Sequence, residues 1–392
     1  MTLPLRGVAS EARGFDITQL WKVIRVRDAC APRDSDSDFA IIKEAEDIEK
    51  AIVAGHSGGL VIGSTVELSS IGSNALRDVL IVPENYGYIG DGDLIGYEPS
   101  SRKFRTLYRK RSNHNSFFVT ERCDNFCLMC SQPPRQVNDS WMLDEINAAL
   151  PLVDPTTQAF SFTGGEPLLD WERFVGVLMT CRDVLPDTAV HVLTNGRAFS
   201  RNEVVAAWAG VSHPKLMAGI PLYSSVDQVH DYVVQAKGAY DETLLGVLKL
   251  KDRGQRVELR IVLHAITGPH IADTCRWIAR NLPFVDHVAL MGMEHTGFAL
   301  ANEQRLWIDP LDYASGLADG VFALHKAGVR ASVYNLPRCL IPRPLWPSAV
   351  QSISDWKNGF LPECEQCSER PRCSGFFTSG KPRRSRGITP LA

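Results

Sequence analysis

Hydrophobic and polar residues alternate over short runs in the first part of the chain. Such alternation is typical of half-buried strands, and one stretch has a helical spacing instead. Two of the runs flank turn residues, which predicts a hairpin. The pattern therefore predicts a small β-rich domain over residues 1–112 with one helix. Its predicted elements are strands at Leu20–Val26 and Gly58–Gly63, a helix at Ala45–Ala54, and a hairpin of Asp93–Tyr97 with Phe104–Tyr108.

From residue 113 onward the pattern becomes strand, loop and helix, repeated. Six such units are too few for a closed eight-stranded barrel. The prediction is an α/β fold, a partial (β/α)6 TIM-type barrel over residues 113–337, with reactive loops at the carboxyl ends of its strands. The predicted strands are 116–120, 158–162, 189–193, 216–222, 257–265 and 287–291, and the helices are 142–152, 171–185, 201–209, 242–253, 270–282 and 313–326.

Three cysteines with the spacing C-x3-C-x2-C directly follow the first of these strands. They are Cys123, Cys127 and Cys130. A short loop that leaves a strand can fold its thiols onto one small body, such as a cubane iron–sulfur cluster. Four cysteines would ligate every iron of such a cluster, so three leave one iron open to a small chelating ligand. One alternative is a zinc site with a distant fourth ligand. The other is that the three thiols are simply buried in the core.

This loop resembles the cluster loop of radical S-adenosylmethionine (SAM) enzymes, in which the open iron binds the methionine part of SAM. The chain also has the Gly-Gly-Glu-Pro segment of that family, at Gly164, Gly165, Glu166 and Pro167 after the second strand. The resemblance implies that this segment contacts the methionine amine, because glycines allow close backbone approach. A tight turn is the alternative for these residues.

Other positions match the family less closely. Thr194 and Asn195, after the third strand, correspond to residues that bind the ribose or sulfonium part of SAM, although a plain turn explains them nearly as well. The family often has Ser-x-Asp on the fourth strand, where this chain has Leu222 and Tyr223. Met129 stands where an aromatic residue often covers adenine. Met291 is predicted to line the adenine or substrate side, or simply to end a buried strand.

The C-terminal segment, residues 338–392, contains four more cysteines near several prolines. It resembles the truncated auxiliary-cluster domain of peptide-modifying radical SAM enzymes, which implies a second iron–sulfur cluster. Structural zinc uses the same tetrathiolate ligand set and remains the alternative. The basic tail that follows, residues 381–386, is expected to be a disordered solubilising end. The four cysteines are Cys339, Cys364, Cys367 and Cys373.

Composition excludes several classes of protein. A net charge of −3 over 392 residues gives no general attraction to nucleic acid or to an anionic membrane. No apolar run approaches membrane-spanning length and the start lacks a signal-peptide core. A cytoplasmic protein is therefore expected. Its ten cysteines are then not expected to form disulfides. Seven belong to the two groups above, and Cys181 and Cys275, inside apolar helical patterns, are expected to be ordinary buried thiols.

Residues 113–135, from Asn113 through the cysteine loop, are similar to the radical SAM maturase of the His-Xaa-Ser peptide system. That resemblance implies a ribosomally made precursor peptide as substrate and an external electron donor such as flavodoxin or ferredoxin. The expected reaction is reductive cleavage of SAM and hydrogen abstraction from a peptide side chain, for which no general acid or base is nominated. A small-molecule substrate and a zinc-stapled binding protein without turnover remain as alternatives.

Overall fold

The computed structural model describes residues 4–63, 66–67, 71, 76–351, 357–380 and 383–391. Two residues of the basic tail, Lys381 and Pro382, lie outside this described part of the chain. Within it, the backbone forms two large sheets and a small C-terminal ribbon. No helix of the described residues combines the length and apolar character needed to cross a membrane.

The first sheet is mixed and has eight strands in the order β1-β8-β7-β3-β4-β5-β6-β2. Four neighbouring strands, β3 to β6, run parallel, and the outer pairs are antiparallel. One helix packs beside the sheet. The bounds are β1 Arg6–Val8, β2 Glu11–Arg13, β3 Lys22–Arg27, β4 Asp38–Ile42, α1 Glu46–Val53, β5 Gly58–Ile62, β6 Asp78–Val82, β7 Leu94–Glu98 and β8 Lys103–Tyr108.

The middle strands of this sheet are apolar on both faces because both faces are covered. Ile41 belongs to one apolar cluster and its neighbour Ile42 to another. Strands β4 and β6 therefore do not alternate between polar and apolar residues, and the alternation pattern did not reveal them.

The second sheet is fully parallel, and its seven strands follow chain order from β9 to β15. Helices connect the strands, as parallel pairing requires. The bounds are β9 Asn115–Phe118, α2 Trp141–Ala149, β10 Ala159–Thr163, α3 Trp171–Val184, β11 Ala189–Leu193, α4 Asn202–Val211, β12 Leu216–Pro221, α5 Asp227–Val234, α6 Ala239–Asp252, β13 Arg256–Leu263, α7 Ile271–Asn281, β14 His287–Gly292, α8 Gly297–Ala301, α9 Glu303–Leu306, α10 Pro310–Lys326 and β15 Ala331–Tyr334.

A parallel sheet of this kind fits an open, partial barrel, and it has one strand more than the sequence indicated. The six predicted strand–loop–helix units are present, and the prediction lacked only a seventh strand, β15, which pairs with β14 from Val288–Ala331 to Met291–Tyr334 and is not followed by an α-helix in the described residues. One face of the sheet packs against the helices and forms the main core. The other face carries polar side chains such as Ser161, His191 and Glu258.

After β15 the chain forms short 3-10 turns and a two-stranded ribbon, β16 Asn358–Gly359 with β17 Phe376–Phe377. The tail then returns to the start of α10. There Ser385 donates to Asp309 at 2.6 Å and the Arg386 amide donates to the same carboxylate at 2.9 Å. The prediction of a disordered end is therefore wrong for residues 383–386, the described part of the basic tail.

Candidate functional site

The cysteine loop lies at the carboxyl edge of the parallel sheet, directly after β9. Two of its amides donate to the last turn of α5: Phe126 to the Val234 carbonyl at 3.0 Å and Leu128 to the Val233 carbonyl at 2.9 Å. Beside them, the Asn302 side chain donates to the Leu128 carbonyl at 2.9 Å. The loop is thus fixed by elements that are distant in sequence.

The three thiols of this loop lie in a desolvated environment. Burial raises the pKa of Cys123 to about 12, and the nearby Glu166 carboxylate adds to the shift. Burial also raises the pKa of Cys127, with further contributions from Cys130 and Cys123. These thiols would ionise at neutral pH only if a positive centre binds them. A bound metal centre would supply that charge, because it deprotonates the thiols that coordinate it.

The backbone around the thiols suits an iron–sulfur cluster. The Asn125 amide points at Cys123 Sγ over 3.4 Å, and amide donors of this kind tune cluster potentials. Behind Cys130, the Phe298 amide donates to its carbonyl at 2.8 Å. Gly297 has φ +54° and a Cβ there would lie 2.6 Å from the same oxygen, so α8 can begin this close only with glycine.

The paired glycines after β10 bring two loops together. Gly164 has φ +134°, and a Cβ on Gly165 would lie only 1.8 Å from the Arg122 carbonyl oxygen. The Gly165 amide donates to the Thr120 carbonyl at 2.6 Å, and the Glu166 amide donates to the Arg122 carbonyl at 2.8 Å. The close backbone approach that the glycines permit is therefore made to the cysteine loop.

Glu166 links the Gly-Gly-Glu-Pro and Thr-Asn-Gly segments of the site. Its buried carboxylate accepts from the Leu168 amide at 2.9 Å, the Thr194 hydroxyl at 2.7 Å and the Asn195 amide at 2.6 Å. Burial raises the pKa of Glu166 to about 7, although these three donors lower it. Pro167 is buried and begins the short turn that follows. The carboxylate thereby ties Gly-Gly-Glu-Pro to Thr-Asn-Gly.

Asn195 and its neighbour Arg197 connect the third strand to the cysteine loop. The Asn195 side-chain amide donates to the Asp124 carboxylate at 2.6 Å. The Arg197 guanidinium donates to the Asp124 carbonyl at 3.1 Å and to the Asn125 side chain at 2.8 Å, and it also pairs with Glu242 at 2.6 Å. Sequence reasoning missed Arg197, although its position directly after Thr-Asn-Gly was a usable signal.

The two methionines occupy different surroundings. Met129 is buried in a small apolar cluster with Leu128 and Tyr223, which follows β12. Tyr223 stands where the family pattern often has Ser-x-Asp, and its ring stacks on His230 with centroids 5.8 Å apart. Met291 lies near the end of β14, and the Arg260 guanidinium approaches its sulfur to 3.2 Å.

The four C-terminal cysteines line one small enclosed space together with Arg338, Glu369 and tail residues. Burial raises the pKa of Cys339, and the neighbouring thiols Cys373 and Cys364 add to the shift. Two backbone amides point at thiol sulfurs. The Gly375 amide lies 3.5 Å from Cys373 Sγ, and the Leu391 amide lies 3.4 Å from Cys367 Sγ. A tetrathiolate donor set with amide donors fits an iron–sulfur cluster.

Neither cysteine group has the geometry of a single bound ion. Among the described residues, no three histidine, cysteine or acidic side chains converge as ligands of one metal ion. The sequence grouped the seven cysteines into one set of three and one set of four. In the structure the four C-terminal cysteines line one space, and in the loop Cys123 and Cys130 lie close enough to Cys127 to affect its pKa.

Comparison with known families matches residues 117–278 to the Radical SAM superfamily. The matched segment contains the cysteine loop, Gly-Gly-Glu-Pro and Thr-Asn-Gly. Members of that superfamily use a [4Fe–4S] cluster and SAM, and the matched segment of this chain is similar to their domain. A comparison with curated proteins found no significant match.

Solved structures give weak overall similarity. SuiB of Streptococcus suis bound to SAM is 14% identical with a TM-score of 0.45, and the alignment covers 56% of this chain and 49% of that one. The enzyme anSMEcpe with SAM and the peptide Cp18Cys is 15% identical with a TM-score of 0.43, covering 56% and 62%. A radical SAM methyltransferase from Sphaerobacter thermophilus is 15% identical with a TM-score of 0.43, covering 63% and 74%. The chain thus spans about half the length of SuiB.

Proposed function

We propose that this protein is a radical SAM peptide maturase that modifies a side chain of a ribosomally made precursor peptide of the His-Xaa-Ser type. The observation that carries the SAM assignment is the joining of three segments at one sheet edge. Glu166 bonds Thr194 and Asn195, while Gly165 bonds the cysteine loop. The peptide assignment rests on the resemblance of residues 113–135 to the maturase of that system.

In this proposal Cys123, Cys127 and Cys130 hold the SAM-binding [4Fe–4S] cluster, and no fourth thiol is needed. When bound, the cluster and SAM supply a 5′-deoxyadenosyl radical that abstracts hydrogen from an unactivated carbon. The protein positions these groups and excludes water. Gly164 and Gly165 set the loop's distance from β10, and Arg197 holds the Asp124 carbonyl and the Asn125 side chain in place.

Cys339, Cys364, Cys367 and Cys373 would hold an auxiliary iron–sulfur cluster. Residues 1–112 would serve in docking or as a scaffold, residues 113–337 as the radical SAM barrel, and residues 338–392 as the auxiliary segment with its tail. A reductant such as flavodoxin or ferredoxin would deliver electrons in the cytoplasm. Met129 would cover the adenine of SAM, and Met291 would line the adenine or substrate side.

Anaerobic purification tests the cofactor assignment. The wild-type protein should be brown, hold about eight irons per chain, and release 5′-deoxyadenosine from SAM with dithionite. Cys127→Ala should lose this cleavage. Cys367→Ala should lose about four irons and keep cleavage, and Cys30→Ala, which changes an exposed lone thiol, should match wild type. A colourless protein with stoichiometric zinc would instead support the scaffold reading.

Co-expression with a short peptide encoded beside the enzyme tests the substrate. Mass spectrometry should show a mass change, and loss of two hydrogens would indicate a cross-link. The peptide should be unchanged when it is co-expressed with the Cys127→Ala enzyme. SAM cleavage that proceeds beside unmodified peptide would favour a small-molecule substrate.

A further inference from the structure

A cavity of about 140 Å³ lies at the carboxyl ends of β13, β14 and β15, between the sheet and the C-terminal segment. Its walls are mainly apolar and aromatic. Leu263 and Met293 line it from the sheet side, Trp307 and Tyr313 from the helices, and Phe360 from the C-terminal segment. No residue proposed above as a ligand of cluster or SAM lines it.

The cavity lies between the two cysteine groups. On one side, Met293 in its wall is four residues from Gly297, which contacts the Cys130 carbonyl. On the other side, Phe360 and Phe376 line both this cavity and the space surrounded by the four C-terminal cysteines. A group held here would therefore lie beside the C-terminal cysteine site and at the same edge of the sheet as the cysteine loop.

Two side chains of the wall carry buried polar atoms without a hydrogen-bond partner. They are His295 Nε2 and Asn335 Oδ1. Burial lowers the pKa of His295, so its ring is neutral at pH 7 and can accept as well as donate a hydrogen bond. A buried polar atom left unpaired destabilises the folded protein. Both atoms have almost no accessible surface, so an occupant of the cavity would supply their missing partner once either side chain rotates toward it.

We propose that this cavity binds an aromatic side chain that carries a ring N–H or O–H group, and that this side chain belongs to the peptide substrate. The assignment to a peptide rests on the proposed function. An apolar cavity of about 150 Å³ is large enough for benzene, so 140 Å³ suits one planar ring. The aromatic walls provide stacking surfaces, and His295 and Asn335 provide the partners for the ring's polar atom.

Binding of small ring probes tests the site without any peptide. The full-length protein with its clusters should bind indole and phenol more tightly than benzene in calorimetric titrations. His295→Leu should weaken indole binding five- to tenfold and leave benzene unchanged, because only the polar contact is lost. The matched change His325→Leu, at an exposed position near the end of α10, should have no effect.

A second variant keeps the test informative if His295→Leu folds poorly. Ile308→Trp places an indole in the cavity wall and should abolish binding of all three probes with both polar atoms still present. Equal binding of indole by wild type, His295→Leu and Ile308→Trp would overturn the proposal. Competition between adenosine and indole would also overturn it, because the cavity would then belong to SAM.

The peptide arm separates this inference from the proposed function. Replacing the aromatic residue of the precursor by leucine should reduce modification at least tenfold while SAM cleavage continues. If indole binds as expected but no peptide is ever modified, the proposed function fails. If the peptide is modified equally well with leucine and no probe binds, the cavity assignment fails and the proposed function stands.

Discussion

At the scale of single residues, Gly165, the second of the two glycines after β10, determines how closely two loops approach. A Cβ on Gly165 would meet the Arg122 carbonyl at 1.8 Å, and Arg122 immediately precedes Cys123. The oxygen belongs to the backbone and the position of a Cβ is fixed by the backbone, so no flexible side chain can move aside. The position of the first cysteine therefore depends on the absence of a side chain at residue 165.

Gly165→Ala is expected to displace the cysteine loop from its place at the sheet edge. Iron content of the anaerobically reconstituted protein should fall by about four atoms per chain, and SAM cleavage should be lost. Gly176→Ala in α3 is the matched control, because nothing lies within 4 Å of a Cβ there. The control should keep full iron and gain up to about 1 kcal/mol in stability. Full iron in Gly165→Ala would contradict this account.

A buried polar network lies on the barrel side of the parallel sheet. Glu258 accepts from His287 at 2.7 Å and pairs with Arg260 at 2.6 Å. Burial alone would raise its pKa, but the His287 hydrogen bond and the Arg260 charge lower the pKa to about 2. His191 Nε2 lies 3.4 Å from the same carboxylate without hydrogen-bond geometry, and burial lowers the pKa of His191 to about 4.

His191 should make the protein less stable in mild acid. An unfolded histidine binds a proton near pH 6.5, whereas folded His191 does so only near pH 4. Stability is therefore lost as the pH falls through this window. His191→Gln should reduce the loss between pH 6.5 and 5 by up to roughly 1.5 kcal/mol, measured by anaerobic urea unfolding. Exposed His325→Gln should leave the curve unchanged, and an unaltered slope in His191→Gln would refute the assignment.

At the scale of elements, the start of α10 connects the barrel to the tail. Asp309 caps this helix by accepting from the Leu311 amide at 3.0 Å. The same carboxylate accepts from Ser385 and from the Arg386 amide. Farther along the tail, Leu391 reaches Cys367. One side chain thus holds both a helix end and the segment that closes the C-terminal cysteine site.

Asp309→Ala should lower the free energy of unfolding by about 0.5–2 kcal/mol through loss of the cap. It should also release the tail, so trypsin should cleave at Arg383, Arg384 and Arg386 several times faster than in wild type. Asp319→Ala removes an exposed acid from the same helix and should change neither result. Equal cleavage rates in Asp309→Ala and wild type would show that other contacts hold the tail.

The elements also show what the sequence revealed and what it did not. Strand β11 was predicted with its observed bounds, 189–193, because it alternates and is bounded by turns. Strand β15 was missed because it has only four residues and precedes a proline-rich segment. The site segments were found from cysteine spacing and glycine pairs, which carry local chemistry. The bonds made by Arg197 and the cavity with His295 depend on long-range packing, which no local pattern encodes.

At the scale of the whole molecule, the two large sheets share a core. Leu107 and Tyr108 of β8 pack in the same apolar cluster as Phe117 of β9. Across this junction Arg105 pairs with Glu145 of α2, whose side chain is 2% exposed. Burial raises the pKa of Glu145, and the Arg105 charge counteracts only part of that shift. The stability of the junction therefore depends on Arg105, the cationic partner of this buried carboxylate.

Arg105→Leu should lower the free energy of unfolding by about 3–5 kcal/mol, because it leaves the Glu145 carboxylate buried without its partner. Replacing both residues, as in Arg105→Leu with Glu145→Leu, should restore most of that loss, since a buried ion pair contributes little beyond an apolar pair. Lys103→Leu, at an exposed position on the same strand, should be nearly neutral. Urea unfolding followed by fluorescence measures all three. A double variant as unstable as Arg105→Leu would show that shape at the junction, rather than the unpaired charge, sets its stability.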